Sequence, residues 1–113
     1  MALTKCAQRW EFTHVRDAAR GFISLLETPT AHGVFNVAAG RAVCLRNVVM
    51  TLRELMAADV SPVFGALADR PDQVMHLEAK IDRIREATGW SPQTSLADGL
   101  AETVIWFRKR HAA

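Results

Sequence analysis

The stretch Gly33-Val34-Phe35-Asn36-Val37-Ala38-Ala39-Gly40, followed by the segment from Leu45 to Met56, decides the fold class of this chain. Three β-prone side chains surround one asparagine, and small residues then lead into apolar residues at helical spacing. This order predicts a strand, a tight turn and a helix. Because a strand with apolar residues on both faces needs cover on each side, the pattern indicates an α/β fold.

Length and composition limit what the chain can do. Its 113 residues are enough for one small domain, residues 1–113, and half of them are hydrophobic. The 14 basic and 12 acidic residues are scattered and give a net charge of +2. We therefore expect no nucleic-acid partner, because binding along a phosphate backbone needs clustered positive charge. No apolar run is long enough to cross a bilayer and no signal-peptide pattern stands at the start, so we expect a cytoplasmic protein and no membrane partner.

The residues that commonly carry chemistry are isolated. Cys6 and Cys44 stand far apart and outside any metal-ligand spacing, so we expect reduced thiols and no metal site. The four histidines form no ligand pair, and there is no tyrosine to act as a general acid or base.

Before the central stretch the sequence predicts a strand and a helix. Trp10 to Val15 alternates bulky and polar side chains, which is typical of a short strand or extended segment, expected at an edge. Asp17 is expected to accept N–H groups at the start of the next helix, which ends before Pro29. Gly21 either allows close packing or weakens this helix by about 1 kcal/mol, and we favour packing.

After the central stretch, Leu45 to Met56 carries an apolar stripe that predicts a helix, with Cys44 as its N-cap. Pro62 to Gly65 is a candidate short strand, and Gly65 to Pro71 is a predicted loop. Gln73 to Ala79 is a predicted extended piece, with Val74, Met75 and Leu77 expected on its buried side.

Two further helices are predicted toward the end. Ile81 to Thr88 is ended by Gly89, and Ser95 caps a last helix. Trp90 and Trp106 are expected in the core, and Asn36 is expected to bind loop backbone groups. Arg108 to His111 form either a basic patch or a favourable interaction with the helix dipole, and we favour the dipole.

Several motifs in this order resemble the C-terminal portion of NAD-dependent nucleotide-sugar epimerases and dehydratases, the extended short-chain dehydrogenase/reductase family. The resemblance runs from Trp10 to Phe107 and rests on Phe12-Thr13-His14-Val15-Arg16-Asp17, Val34-Phe35-Asn36-Val37-Ala38-Ala39-Gly40, Arg70-Pro71-Asp72, Thr88-Gly89-Trp90-Ser91-Pro92 and Thr94-Ser95-Leu96-Ala97-Asp98-Gly99-Leu100.

The resemblance implies an α/β fragment of a Rossmann-type enzyme, with about four helices and a few short strands. It implies that the parent family uses NAD(P), through a glycine-rich turn and a Tyr-x-x-x-Lys pair that this sequence does not contain. We therefore expect no bound cofactor and no catalytic residue in the isolated chain. The N-terminal Rossmann half of those enzymes is expected to be absent.

The resemblance also implies a diphosphate site formed by two arginines. Arg70 occupies the family's Arg-Pro-Gly-Asp position, although the glycine is missing. Trp10 stands at the other arginine position, so Arg9 is the candidate to replace it. For each arginine the alternative is a solvated side chain with no ligand. Further departures place Lys80 and Cys44 where relatives carry helix-capping residues, which indicates relaxed selection or divergence to another use.

Three hypotheses follow. The chain is a substrate-lobe fragment that is inactive alone, or a non-catalytic module for nucleotide-sugar binding or oligomerisation, or a complement to a separate Rossmann chain. Because an α/β strand without a sheet exposes apolar surface and backbone groups, we expect a homo-oligomer or such a complementing partner.

Overall fold

The computed structural model describes residues 1–112, which form four helices and one two-stranded sheet. The elements, in chain order, are β1 Arg9–Trp10, α1 Val15–Leu26, β2 Val43–Cys44, α2 Leu45–Met56, α3 Asp82–Thr88 and α4 Leu96–His111. α2 packs on α4 and α1 packs on α3. The described chain measures 50 × 40 × 19 Å, so it is a flat body with little interior. The predicted α/β fold with about four helices and short strands is confirmed.

The first ten residues form the backbone partner of several other segments, and we call Met1 to Trp10 the N-terminal segment. β1 pairs antiparallel with β2, with Arg9 opposite Cys44 and Trp10 opposite Val43. Arg9 also bridges His76 in parallel on the other side, and Ala2 bridges Val63. The prediction of an edge strand from Trp10 to Val15 is therefore wrong in two respects. The strand is only two residues long and has neighbours on both sides.

α2 begins and ends where the apolar stripe predicted. Its N-cap is Cys44, whose side chain makes no capping hydrogen bond. Instead, the N–H groups of Leu45 and Arg46 donate to the carbonyls of Gln8 and Cys6, each at 2.9 Å. The N-terminal segment thus satisfies donors that a helix start otherwise leaves without a partner.

The central stretch is extended, but it pairs with no other strand among residues 1–112. Phe35 and Val37 pack against the buried cluster of Ile81, Ile84 and Trp90, whereas Val34 is 80% exposed. One face is therefore covered and the opposite face is open. The predicted strand at Val34 to Val37 is wrong as a hydrogen-bonded element, because a ladder needs a neighbouring strand and the described chain provides none there.

Gly21 on α1 is a site of close packing, as predicted. A Cβ atom at this position would lie 2.6 Å from Cγ1 of Val37 and 3.2 Å from the Trp90 ring.

Asn36 also behaves as predicted, because its side-chain amide donates to the Lys80 carbonyl at 3.1 Å.

The start of α1 differs from the prediction. His14 is the N-cap, and its Nδ1 accepts from the Arg16 N–H at 3.4 Å. The Asp17 carboxylate is 1% exposed and accepts from the Thr94 N–H at 2.8 Å, which joins α1 to the turn before α4. The prediction that Asp17 caps its own helix is therefore wrong. Burial would raise the pKa of Asp17, but the backbone N–H groups of Thr94 and Gln93 and the nearby Arg20 outweigh it and lower the pKa below 3.8.

The last two helices have the predicted signals at their ends. Gly89 ends α3 in a left-handed conformation, φ 76°, and Ser95 Oγ accepts from the Asp98 N–H at 3.1 Å. Arg108 donates to the Met56 carbonyl at 3.0 Å, so it binds the C-terminal end of α2, a neighbouring helix.

Some predictions of burial are wrong. Trp90 is buried, but Trp106 is 56% exposed, and Val74 and Leu77 are also exposed. These side chains follow the correct apolar pattern but have no element of the described chain above them.

The buried carboxylate of Asp17 generates a prediction about stability and pH. Asp17→Asn should lower the free energy of unfolding at pH 7 by about 1–3 kcal/mol, because the amide keeps one acceptor oxygen but loses the negative charge and buries an NH₂ group in place of the other oxygen. The folded-state pKa of Asp17 is lowered, so its contribution is full above pH 3.8 and is lost as pH falls through the folded pKa.

Urea unfolding of both proteins between pH 7 and pH 3 measures this difference. Asp59→Asn, at an exposed aspartate, is the control and should change the free energy of unfolding by less than about 0.5 kcal/mol. An Asp17→Asn effect that is equal at pH 7 and pH 3 would contradict the assignment.

Candidate functional site

The loop that carries Arg70 is held at both ends by the N-terminal segment. We call residues 64–74 the Arg70 loop. Before the loop, the Leu3 N–H donates to the Val63 carbonyl at 3.1 Å. After it, the Arg9 N–H donates to the Met75 carbonyl at 2.8 Å and the Leu77 N–H donates to the Arg9 carbonyl at 2.9 Å. A single extended segment therefore fixes where the loop leaves the fold and where it returns.

Contacts with the N-terminal segment and with α2 shape the first half of the loop. The Gly65 N–H donates to the Thr4 carbonyl and the Leu67 N–H donates to the Leu3 carbonyl, each at 3.0 Å. Gly65 has φ +81°, a conformation that favours glycine. The Arg46 guanidinium of α2 lies 4.3 Å from the centre of the Phe64 ring, which is a cation–π contact.

Arg70 itself lies at the exposed part of this loop. Its side chain is 78% exposed, and its Nε lies 3.5 Å from Oδ1 of Asp72, which is equally exposed. Exposed ion pairs of this kind contribute between about 0 and 1 kcal/mol, so an incoming anion can displace Asp72 at little cost. Within residues 1–112 no other acidic side chain forms an ion pair with Arg70.

Arg9 has a different environment. Its Nη2 atom donates to the Ala42 carbonyl at 3.0 Å, immediately before β2. The segment that leads out of the Arg70 loop runs along the opposite edge of β1, where Arg9 bridges His76. The two predicted site residues are thus attached to different neighbours. Among residues 1–112, no side chain or carbonyl binds both guanidinium groups.

Trp10, which the resemblance predicts to stand at the family's arginine position, binds the loop directly. Its indole N–H donates to the Val74 carbonyl at 2.8 Å, at the last residue of the Arg70 loop. Sequence reasoning missed this role, although an indole N–H is a donor that normally finds a partner. Trp10 therefore holds the loop through a neutral donor.

Two glutamates have structural roles that the sequence did not reveal. The Glu11 carboxylate accepts from the Gly40 N–H at 2.7 Å and from the Ala79 N–H. The Glu78 carboxylate accepts from the Ala42 N–H at 2.7 Å. Both glutamates accept from backbone N–H groups that lie outside the two-stranded sheet. Glu11 is thus a structural clamp and is occupied as an acceptor.

Three clefts in the described part of the chain lie away from both arginines. The first, about 530 Å³, lies between the start of α1 and the outer part of α4, where Arg16 and Glu102 form a 2.7 Å ion pair. The second, about 550 Å³, lies at the start of α4 and is lined by Phe12, Arg41 and Pro92 among others. The third, about 290 Å³, is lined by residues near the starts of α1 and α4. Neither Arg9 nor Arg70 lines any of them.

The described residues include no group of three side chains placed to hold a metal ion. None of the helices in residues 1–112 is both long and apolar enough to cross a membrane.

Comparison of the fold with solved structures identifies the class of protein. The dTDP-glucose 4,6-dehydratase DesIV from Streptomyces venezuelae, with NAD and TYD bound, matches 99% of this chain and 35% of its own, with a TM-score of 0.84 and 28% identity. The UDP-glucose 4-epimerase from Thermotoga maritima, with UDP-glucose, matches 88% of this chain and 31% of its own, with a TM-score of 0.79 and 29% identity. The fold therefore matches about a third of the length of each of these two enzymes.

Curated sequences agree with the structures. A dTDP-glucose 4,6-dehydratase from Streptomyces griseus is 31% identical over 102 residues, which are 90% of this chain and 31% of that protein. A UDP-glucose 4-epimerase from Azospirillum brasilense is 35% identical over 103 residues, which are 87% of this chain and 29% of that protein. No model of a known protein family matches the chain.

The chain is therefore a relative of the NAD-dependent epimerases and dehydratases of the extended short-chain dehydrogenase/reductase family, and it spans about a third of the length of the relatives it matches. The resemblance inferred from its motifs is confirmed.

The Glu11 clamp generates a prediction. Glu11→Gln should lower the free energy of unfolding by about 1–3 kcal/mol, because a neutral amide loses the charge assistance and turns an NH₂ group toward a backbone donor. Urea unfolding at pH 7 measures the change. The exposed Glu86 provides the matched control, Glu86→Gln, and an equal loss in both variants would refute the clamp.

Proposed function

We propose that these 113 residues form the C-terminal, substrate-binding portion of an NAD-dependent nucleotide-sugar epimerase or dehydratase. In this proposal the portion binds the diphosphate of a nucleotide sugar at Arg70 and does not catalyse a reaction alone. The relatives act on dTDP- and UDP-sugars by their names, and the chain spans about a third of their length. These two facts support assignment to a substrate-binding part.

The observation that carries the proposal is the exposed guanidinium of Arg70 on a loop whose ends are fixed. A guanidinium presents two parallel N–H donors that match the oxygens of one phosphate. Its only ion-pair partner in residues 1–112 is an exposed aspartate, which a phosphate can replace. Arg9 is the proposed second contact, although it must first release the Ala42 carbonyl.

The residues present do not fit a nicotinamide cofactor. The sequence has no Gly-x-Gly-x-x-Gly turn to approach a pyrophosphate, and it has no tyrosine for a Tyr-x-x-x-Lys pair. We therefore assign no redox or proton-transfer step to this chain. Its own contribution is to hold and orient the substrate.

Removing Arg70 should weaken nucleotide-sugar binding. Arg70→Ala should lower the affinity for UDP-glucose or dTDP-glucose about tenfold, because a charge-assisted hydrogen bond contributes roughly 1.5–3 kcal/mol. Calorimetric titration of both proteins measures the affinities. Arg85→Ala is the matched control, since Arg85 is also an exposed arginine beside an aspartate, Asp82.

Three results would count against the proposal. The wild-type protein could bind neither nucleotide sugar, or Arg70→Ala could bind as tightly as the wild type. Micromolar binding of NAD to the isolated chain would instead contradict its assignment to a part without a cofactor site.

A second candidate function is an assembly module, and the open apolar surface favours it. Phe22, Ile23 and Leu26 of α1 are 51–85% exposed, and Val34 of the unpaired stretch is 80% exposed. Surfaces of this kind are usually covered by a partner. We propose that a second copy of the chain, or a complementing Rossmann chain, covers this surface in the cytoplasm.

Light scattering at tens of micromolar tests self-association. We expect an oligomer for the wild type and a monomer for Leu26→Glu. An unpaired carboxylate at position 26 would be buried in the interface between the copies, and burial of an unpaired charge is costly. Leu77→Glu, at an exposed leucine outside α1 and the unpaired stretch, should leave the oligomer intact. A monomeric wild-type protein would rule out the second copy.

A further inference from the structure

Cys6 and Cys44, which lie 38 positions apart in the sequence, meet where the N-terminal segment runs beside the start of α2. The carbonyls of Cys6 and Gln8 accept the first two N–H groups of that helix, each at 2.9 Å. The Cys44 thiol donates to the Cys6 carbonyl, with Sγ 3.4 Å from the oxygen. Both cysteines are free thiols in the structure.

These distances place the Cys44 thiol next to the backbone of Cys6. A carbonyl oxygen lies about 2.4 Å from the Cα of its own residue, so Cys44 Sγ is within roughly 6 Å of the Cys6 Cα. Disulfides join Cα atoms that are about 4.4–6.8 Å apart, with the two side chains turned toward each other. Forming the bond therefore requires the Cys6 thiol to leave Thr4 Oγ1, 3.7 Å away, and to rotate toward Cys44.

A disulfide at Cys44 would break few existing contacts, and the Cys44 sulfur can be reached from solution. Cys44 makes no side-chain capping bond to α2, so bonding its sulfur removes only a weak S–H···O contact. Cys6 is 3% exposed, whereas Cys44 is partly exposed. An oxidant from solution can thus reach Cys44 first.

We propose that Cys6 and Cys44 are a redox modification site that closes into an intramolecular disulfide by exchange with a small-molecule disulfide such as oxidised glutathione. The Cys44 thiolate attacks one sulfur of oxidised glutathione, forming a mixed disulfide and releasing one glutathione thiolate. The Cys6 thiolate then attacks the Cys44 sulfur and releases the second glutathione. The two cysteines lose two electrons and two protons, and the oxidant is reduced to two glutathione thiols.

The test equilibrates the wild-type chain with defined ratios of reduced and oxidised glutathione, in native buffer and in urea. Intact-mass measurement after alkylation distinguishes the dithiol, the mixed disulfide and the intramolecular disulfide, which is about 2 Da lighter than the dithiol before alkylation. In the unfolded chain the two thiols meet only by random loop closure. We expect the effective concentration of the pair to be at least tenfold higher in native buffer than in urea.

Two variants assign the sulfurs. Cys6→Ser should stop at the mixed disulfide on Cys44, and Cys44→Ser should react more slowly than the wild type because its remaining thiol is buried. Circular dichroism checks that both variants fold. The comparison of the wild-type chain in native buffer and in urea does not depend on either variant. An effective concentration no higher in native buffer than in urea, or dimers linked through Cys44 in place of the intramolecular bond, would overturn the proposal.

Discussion

Main-chain hydrogen bonds to the first ten residues hold this fold together. The N-terminal segment pairs with β2, with the residues before the Arg70 loop and with those after it, and it accepts the first N–H groups of α2. Each of these groups would cost about 1–3 kcal/mol if it were buried without a partner. The two strands of the sheet are only two residues long. The N-terminal segment nevertheless joins parts of the chain that are far apart in sequence. The position of Arg70 depends on it.

Where the backbone has no ladder partner, carboxylates supply the acceptors. Glu11 binds the turn at Gly40 and the segment at Ala79, Glu78 binds Ala42, and Asp17 binds Thr94. Hydrogen bonds to a charged acceptor are roughly twice as strong as neutral ones. A flat body with a small core can therefore hold its turns in place. These acidic residues have structural roles, and none of them is free to act as an acid or a base.

The sequence predicted elements whose determinants are local. The bounds of α2, the glycine that ends α3 and the serine that caps α4 all depend on residues within one or two turns. The partners of Glu11 and Asp17 lie 29 to 77 positions away, and no local pattern indicates them. The predictions of burial failed for a similar reason. An apolar pattern shows which face of a helix or extended stretch is suited to burial, but Trp106 and Val34 are buried only if another element covers that face.

The same distinction applies to the candidate site. The loop position of Arg70 was predicted from the local sequence between Gly65 and Pro71, and a solvated side chain was one of the two alternatives for this arginine. The hydrogen bonds of Arg9 to Ala42 and of Trp10 to Val74 depend on how β1 lies between two distant segments, so they required the structure.

These hydrogen bonds make the two arginines unequal as proposed phosphate ligands. Arg70 gives up an exposed ion pair, which contributes between about 0 and 1 kcal/mol, whereas Arg9 gives up a partly buried hydrogen bond of about 1 kcal/mol or more. Trp10 cannot compensate, because its single N–H is already bound to the loop and carries no charge. A diphosphate that approaches this lobe therefore meets one ready cation and one that must first be released. The binding free energy should be concentrated at Arg70, with Arg9 contributing only what exceeds the bond it breaks.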